Sequence, residues 1–485
     1  MFTKPQGVEG LPKLIPLLLA ALVVQNAAAT TRYVDLNSPS PTQPYTSWPT
    51  AATNIQDAVD AAEEGDLVLV NNGVYRTGGR VVFGGITNRV AVTKPITLQS
   101  VNGAIHSLIE GNGPMGSNAV RCVYLTNQAQ LIGFTLTNGA TLSSGDSTYE
   151  CSGGGVWCEP LATPSTLIPI ISNCVIVANA AGVLGGGGYN GFYERCMFKA
   201  NTAITGGGGV AAGYLRNCLI IENRAFSSGG GGSGIKSADN CTIVGNSVSG
   251  SGAGGVDGVP RLRNCIIYYN TNAFSPDRFE NYSGGTLIYC NTIPKPAFGA
   301  STSAITNAPL FVDPLVGDFQ LQPRSPCINS GINLSTMGDH LDFQGDPRIV
   351  AETIDIGAYE FQTPTSALSY AWAQQYGLPS DGSADFTDDD GDGMNNYGEW
   401  RSDTIPTNTL SVLRMVSATN SPTGVKVTWQ SVFTRLYWLE RATNLSSTSP
   451  FQTIATNRSG GASATTFTDT SATNAGPYFY RVGVQ

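Results

Sequence analysis

The stretch Asn173-Cys174-Val175-Ile176-Val177-Ala178-Asn179 is the first of five copies of one short phrase. The cysteines of the copies step by 22, 22, 23 and 24 residues, and an asparagine lies five positions after each cysteine. The copies run Cys174–Asn179, Cys196–Asn201, Cys218–Asn223, Cys241–Asn246 and Cys265–Asn270. A fixed period in the low twenties is typical of a solenoid, in which each repeat is one coil stacked on the last.

The alternation inside the phrase identifies the coils as β-structure. In an extended segment the cysteine and the residue two positions later point to the same side, so both face inward. The asparagine suits a bend, because its amide can bond the coils on either side and because it tolerates a left-handed backbone. Glycine runs such as Gly206 to Gly209 suit further turns. We therefore predict an all-β fold, a parallel β-helix with coils of about 22–25 residues.

The composition fits an exported protein and excludes two classes of partner. The chain has 485 residues and a net charge of −9, which argues against nucleic acid and anionic membranes as partners. Residues 1–29 have the features of a signal peptide, with an apolar run from Leu14 to Val24 before Ala27-Ala28-Ala29. That run is too short to span a bilayer, and no later stretch is long enough. We expect a mature protein without a transmembrane segment, either secreted or on the cell surface.

The cysteines allow two interpretations. The chain has 10 cysteines, and an even number in an exported chain often means disulfides. Six of them keep the repeat spacing, however, which favours a ladder of buried thiols that act as small apolar side chains. Cys151 and Cys158 lie outside that register, and the sequence leaves open whether they form a disulfide.

Two segments carry a resemblance to known families. The stretch from Ile55-Gln56-Asp57-Ala58-Val59 to Gly73-Val74-Tyr75, together with the repeats, resembles secreted bacterial right-handed parallel β-helix proteins of the pectate-lyase-like superfamily. Residues 308–361 resemble the choice-of-anchor Q domain, which in that family follows a β-helix in surface proteins. The resemblance implies a right-handed helix over residues 30–361. It leaves the activity open, because β-helices include lyases, hydrolases, epimerases and adhesins.

An acidic motif in residues 362–408 predicts a structural calcium site. The twelve residues from Asp388 to Glu399 fit the calcium loop D-x-D-x-D-G-x5-E at every specified position. Carboxylates, a backbone carbonyl and an amide oxygen are ligands that Ca²⁺ prefers. The predicted ligands are Asp388, Asp390, Asp392, Met394 through its carbonyl, Asn396 and Glu399. The alternative is an acidic, solvated linker. The loop also resembles those of dockerins, but a second copy is absent, so a cohesin partner is not expected.

Residues 409–485 predict a small C-terminal domain. Alternating segments such as Val425-Lys426-Val427-Thr428-Trp429 and Tyr478-Phe479-Tyr480-Arg481-Val482 are separated by turn residues. This pattern favours a β-sandwich of fibronectin type III or immunoglobulin-like kind.

The repeat register brings charged residues into one row. Glu194, Arg216, Asp239 and Arg263 each precede a ladder cysteine by two positions, so they should alternate in sign along one outer face. Surface ion pairs are the simpler interpretation. The functional one is that Glu194 and Asp239, roughly 9–10 Å apart, approach the spacing of the two carboxyls of an inverting glycosidase, with Arg216 holding a sugar acid. Phe192 and Tyr214 would then form a platform for a sugar on the same side.

Two functions of different class follow. The first is a scaffold without catalysis that binds a polysaccharide or a cell-surface glycan and is stiffened by calcium. The second is a polysaccharide lyase or glycoside hydrolase, with Glu194, Arg216 and Asp239 as weak catalytic candidates. The sequence favours the first, because the repeats are regular and glycine-rich and no recognisable catalytic constellation is present. The predicted calcium site lies outside the β-helix, which argues against catalysis by that ion. The oligomeric state stays open.

Overall fold

Like residues of successive coils stack over one another in parallel β-sheets. The computed structural model describes residues 29–160, 167–274, 280–296, 301–334, 341–474 and 476–485. Within these ranges the strands of the coils form four sheets, in which neighbouring coils pair in parallel, except that the short strand Arg80–Val81 is antiparallel to Thr87–Val92. The predicted all-β fold, a parallel β-helix, is confirmed. The predicted signal peptide, residues 1–29, lies outside the described residues except for Ala29.

The strands of the four sheets have the following bounds. Sheet 1 consists of Thr31–Val34, Leu67–Val70, Thr97–Ser100, Gln130–Ile132, Ile170–Ser172, Phe192–Glu194, Tyr214–Arg216, Ser237–Asp239, Arg261–Arg263, Thr286–Ile288 and Ser301–Thr302. Sheet 2 consists of Gly73–Tyr75, Ser107–Glu110, Thr135–Thr137, Val175–Val177, Met197–Lys199, Leu219–Ile221, Thr242–Val244, Ile266–Tyr268 and Asn291–Thr292. Sheet 3 consists of Arg80–Val81, Thr87–Val92, Val120–Leu125, Val156–Cys158, Gly188–Tyr189, Val210–Ala211, Gly232–Ser233, Val256–Asp257 and Tyr282–Ser283. Sheet 4 consists of Ala180–Ala181, Thr202–Ala203, Arg224–Ala225, Ser247–Val248 and Thr271–Asn272.

The interior of the β-helix is a ladder of apolar side chains. Cys196 and Phe198 face inward together, as their spacing of two predicts, and the corresponding residues of the next coil are Cys218 and Ile220. All ten cysteines of the chain are buried and are free thiols, including Cys151. The cysteine ladder is therefore confirmed, and the disulfide that the sequence left open between Cys151 and Cys158 is absent.

The repeated asparagines form a hydrogen-bonded ladder along the helix axis. The amide of Asn201 donates to Oδ1 of Asn223 at 2.9 Å, and that of Asn223 donates to Oδ1 of Asn246 at 3.0 Å. The expected left-handed backbone lies elsewhere, because it belongs to the residue before each ladder asparagine, such as Glu222 with φ 58°. A second left-handed residue precedes each ladder cysteine, such as Asn217 with φ 50°. The corner at the asparagine is thus set one residue earlier than the sequence suggested, and the corner before the cysteine was not predicted.

The glycine runs allow coils to approach backbone to backbone. A Cβ on Gly208 would lie 2.3 Å from the carbonyl oxygen of Arg224 and 2.6 Å from that of Gly230. Neither distance is compatible with a side chain, so the runs close the turn between sheet 4 and sheet 3.

A helix closes the first coil, and a long segment covers the outer face of sheet 2. Helix α1 (Ile55–Ala61) follows the 3-10 helix Trp48–Thr50 and buries Ile55 and Val59 against the first coils. After the last coil, the chain forms the antiparallel pair Phe311–Asp313 and Asp318–Leu321. Side chains of the following segment, among them Phe319, Ile328 and Ile356, then pack on sheet 2, where Leu219 and Ile266 are buried against them.

The C-terminal part holds two short helices and two antiparallel sheets in the described ranges. Helix α2 is Tyr370–Gln375 and helix α3 is Asn396–Ser402. One sheet consists of Met415–Ser421, Gly424–Gln430 and Ala464–Asp469, and the other of Gln452–Ser459, Leu436–Ala442 and Phe479–Val484. Trp429 of the first and Leu439 of the second share one buried core.

No helix in the described ranges is long and apolar enough to cross a membrane.

Candidate functional site

The charged row on sheet 1 lies in the register that the repeats suggested. Glu194 pairs with Arg216, Arg216 with Asp239, and Asp239 with Arg263 across adjacent strands. Nη1 of Arg216 lies 3.9 Å from Oε1 of Glu194. Nη2 of Arg263 lies 2.9 Å from Oδ1 of Asp239, and Nη2 of Arg261 lies 3.7 Å from its Oδ2. The two acids are thus joined to arginines of neighbouring coils rather than to each other.

The surroundings of Asp239 and Phe192 limit what this row can do chemically. Asp239 is only 8 % exposed. Burial raises the pKa of the Asp239 carboxyl, and the charges of Arg263 and Arg261 oppose that rise. The guanidinium of Arg216 lies 5.1 Å from the ring centroid of Phe192, so the predicted platform is partly covered by its own neighbour. The row has the geometry of a ladder of ion pairs.

The acidic loop before α3 brings its three aspartates together. One carboxylate oxygen each of Asp388, Asp390 and Asp392 lies within 4.8 Å of the others. The backbone turns around them, since the N–H groups of Gly391 and Gly393 donate to Asp388 at 2.8 and 2.9 Å. The backbone of Gly393 has φ 96°, which a residue with a side chain rarely adopts.

Buried oxygens without partners surround this cluster. Glu399 is 0 % exposed, and neither of its carboxylate oxygens has a hydrogen-bond partner among the described residues. Three further buried oxygens have no hydrogen-bond partner among the described residues: Oδ2 of Asp390, Oδ2 of Asp392 and Oδ1 of Asn396. Burial, followed by the charges of Asp390 and Asp392, raises the pKa of Glu399 to about 8. Unpaired buried oxygens at this density fit a hard cation such as Ca²⁺. Met394, whose carbonyl is the remaining predicted ligand, lies between these groups in the chain.

The outer face of sheet 3 carries a stack of aromatic rings that the sequence analysis missed. Trp157 pairs with Tyr124 of the preceding strand and Tyr189 of the following one. The ring of Trp157 is stacked on Tyr124 at a centroid distance of 5.2 Å and on Tyr189 at 6.3 Å. The signal was present as an aromatic after an inward-facing residue in Val123-Tyr124 and Val156-Trp157. An insertion before Trp157, within residues 138–155, hid it, because it breaks the regular spacing of the repeats.

Two more rings extend the stack toward solvent. Tyr149 lies 5.3 Å from Trp157, and Phe83 is stacked on Tyr149 at 4.2 Å. Phe83 is 44 % exposed and Tyr149 is 36 % exposed, whereas Trp157 is buried. We call Phe83, Tyr124, Tyr149, Trp157 and Tyr189 the aromatic patch.

Buried polar contacts hold the loop that carries Tyr149. The guanidinium of Arg121 donates to the carbonyl oxygens of Tyr149, Ser152 and Gly153 and to Oδ1 of Asn88, at 2.7 to 2.9 Å. Burial lowers the pKa of Arg121 to about 9. The indole N–H of Trp157 donates to the carbonyl of Thr148 at 2.8 Å. The exposed ring of Tyr149 therefore stands on a fixed base.

The chain is similar to several solved structures at low sequence identity. No protein-family model matches the chain, and no curated protein matches it significantly. A pectate lyase, Pel9A, is 14 % identical with a TM-score of 0.41, covering 69 % of this chain and 97 % of its own. A rhamnogalacturonan lyase is 13 % identical with a TM-score of 0.26, covering 54 % and 68 %. A pectin methylesterase bound to a hexasaccharide is 11 % identical with a TM-score of 0.25, covering 56 % and 74 %.

Proposed function

We propose that the protein is an exported or cell-surface scaffold that binds polysaccharide on its β-helix and structural calcium in its C-terminal segment. The observation that carries the first part is the aromatic patch on sheet 3. Aromatic rings offer large apolar faces with little loss of side-chain freedom, and the C–H faces of sugar rings pack well on them. Exposed rings on a rigid base are pre-organised for such binding.

The surface beyond the patch suits a polymer lying along the helix axis. The buried Ala211 follows Tyr189 in the register of sheet 3, and the partly exposed Ser233 and Asp257 come next. These small and polar side chains follow one another at about 4.8 Å per coil. A chain that packs on Phe83 and Tyr149 would therefore extend over a shallow strip with hydrogen-bonding groups.

The alternative, a polysaccharide lyase or glycoside hydrolase, receives less support from the geometry. Its acids would be Glu194 and Asp239, and its charge-neutralising group would be Arg216. Each acid is already paired with an arginine, and Asp239 is closed from solvent. A general acid or base must reach the substrate within hydrogen-bond distance. Catalysis would therefore require these ion pairs to open, whereas binding as a scaffold would not.

The calcium part of the proposal rests on the buried oxygens around Glu399. Asp388, Asp390 and Asp392 would supply three carboxylates, Glu399 a fourth, and Asn396 and Met394 neutral oxygens. A bound Ca²⁺ would neutralise carboxylates that otherwise repel one another in a partly buried loop. Its role would be to hold the loop to α3.

The polysaccharide proposal is tested by affinity electrophoresis of the full mature chain in gels that contain acidic or neutral polysaccharides. We expect at least one polymer to retard the wild type, and Phe83→Ala and Tyr149→Ala to weaken that binding about tenfold each. Phe226→Ala is the matched control, because Phe226 is 62 % exposed on the opposite side of the glycine turn. Equal retardation of all variants, or none of the wild type, would overturn the proposal.

A further inference from the structure

A cavity lies where the last coil meets α2, α3 and the C-terminal sheets. Its volume is about 480 Å³, within the range of small-molecule sites. Three partly exposed aromatic side chains line it, Tyr289, Trp372 and Trp400. An adjoining cavity of about 440 Å³ shares Tyr289, Trp400 and Arg435 with it. We call the two together the junction groove.

The fold itself places these aromatic rings at the groove. Tyr289 holds the left-handed corner before Cys290, with φ 50°. In four of the five earlier repeats the same corner is an asparagine, and in the repeat of Cys196 it is Arg195. Asn217 binds the covering segment by donating to the carbonyl of Leu341. Trp372 lies on α2, whose other side is anchored by the buried Tyr370. The rings therefore come from three separate segments and converge.

The charge of the groove opposes that of the whole chain. The charged side chains among its described lining residues are Lys295, Arg401, Arg435 and Asp403. Cations exceed acids there three to one, although the chain has a net charge of −9. Two contacts hold the guanidinium of Arg435 in place. Its Nη2 donates to the carbonyl of Trp400 at 3.3 Å and lies 4.0 Å from Oδ1 of Asp403. A local excess of cations favours an anionic ligand.

The groove is joined to the calcium loop through α3. Glu399 and Trp400 are consecutive residues of this helix, and one faces the loop while the other lines the groove. The backbone N–H of Thr404 donates to the carbonyl of Glu399 at 3.0 Å, which ties the end of the helix to the same residue. An ion held by Glu399 would therefore fix the position of Trp400.

We infer that the junction groove binds an anionic oligosaccharide, carboxylated or sulfated, and that calcium in the loop of residues 388–399 strengthens this binding by holding α3. The inference rests on the proposed function for its calcium and its class of ligand. Aromatic rings would stack on the sugar faces, and Arg435 and Lys295 would pair with the anionic groups.

The test is a titration of the full mature chain, followed by tryptophan fluorescence and calorimetry. The probes are an alginate hexasaccharide, a sulfated hexasaccharide and a neutral hexasaccharide, all at one fixed calcium concentration. We expect at least one anionic probe to bind ten times more tightly than the neutral one, and the comparison of the two anionic probes identifies the preferred group. Arg435→Gln and Trp372→Ala should each weaken that binding at least tenfold. Lys295→Gln, on an exposed side chain that does not support the fold, should weaken it severalfold.

The controls separate this inference from the proposed function. Lys426→Gln removes an exposed cation elsewhere, and Phe274→Ala an exposed ring elsewhere, so both should leave the affinity unchanged. Glu399→Gln should weaken binding at the same calcium concentration, whereas Tyr149→Ala should not.

Three results would overturn the inference: no binding of either anionic probe, equal binding of the neutral one, or unchanged affinity in Arg435→Gln and Lys295→Gln. Calcium titration without sugar and polymer retardation by the aromatic patch are measured separately. If calcium binds and polymer is retarded but no anionic probe binds the groove, the proposed function stands and only the inference about the groove is wrong.

Discussion

Replacing one asparagine of the ladder should loosen the coils on both sides of it. Asn223 is fully buried, and its amide donates to Oδ1 of Asn246 and to the carbonyls of Phe198 and Ile221 at 2.9 to 3.0 Å. Its Oδ1 accepts from both the backbone and the side-chain N–H of Asn201. Asn223→Ala removes all five hydrogen bonds and leaves the backbone N–H of Asn201 without its acceptor.

The magnitude follows from those contacts. A typical hydrogen bond contributes about 1 kcal/mol net, and a buried group left unpaired costs about 1–3 kcal/mol. Some of the partners keep a second bond, so we expect a destabilisation of about 3–5 kcal/mol. Because a solenoid transmits stability mainly between neighbouring coils, the loss should concentrate in residues 196–248.

Hydrogen exchange read by mass spectrometry measures this effect coil by coil. A loss of about 3 kcal/mol corresponds to roughly a hundredfold faster exchange. The matched control is Asn118→Ala, since Asn118 is exposed in a loop of the same β-helix. Exchange in Asn223→Ala that is indistinguishable from this control would refute the idea that the ladder holds the coils together.

Three further predictions follow from buried charges. Chelation of calcium should open residues 362–408 to protease while the β-helix stays folded, and Glu399→Gln should reproduce this; identical digestion patterns with and without chelator would contradict a structural ion. Burial raises the pKa of Asp355 to about 7, above its unfolded value. The contribution of Asp355 to stability is therefore complete below about pH 4 and is lost as the pH rises through about 7. The melting temperature should fall over that range in the wild type and fall less in Asp355→Asn. An equal fall in both proteins would argue against a raised pKa of Asp355. Arg121→Met removes four hydrogen bonds, three of them buried, so it should speed proteolysis within residues 143–150 and weaken polysaccharide binding about tenfold. Unchanged cleavage would mean that Arg121 does not hold the loop.

The sequence predicts the coils well because the information is local and repeated. Each copy of the phrase carries its inward cysteine, its inward apolar residue and its asparagine at fixed spacing, so one alignment gives the register of a whole sheet. The charged row from Glu194 to Arg263 follows from the same register. The left-handed corners were misplaced because residues such as Ala178 and Glu222 have no intrinsic preference for them; stacking of the coils imposes that backbone.

The aromatic patch and the junction groove could not be derived in this way. Trp157 and Tyr189 belong to one row, but an insertion and a change of coil length separate them in the sequence. Phe83 and Tyr149 reach the patch from two loops, whose positions depend on tertiary contacts rather than on periodicity. The groove is lined by residues more than a hundred positions apart in the sequence, so no local pattern predicts it.

The central claim is that the β-helix binds polysaccharide without cleaving it. The most direct measurement incubates residues 30–485, with calcium, with a panel of acidic and neutral polysaccharides and records binding, new reducing ends and unsaturated products in the same samples. We predict binding of at least one polymer and no product above that of a heat-denatured sample. Products that disappear in Glu194→Gln or Asp239→Asn would contradict the claim and show that the charged row of sheet 1 is an active site.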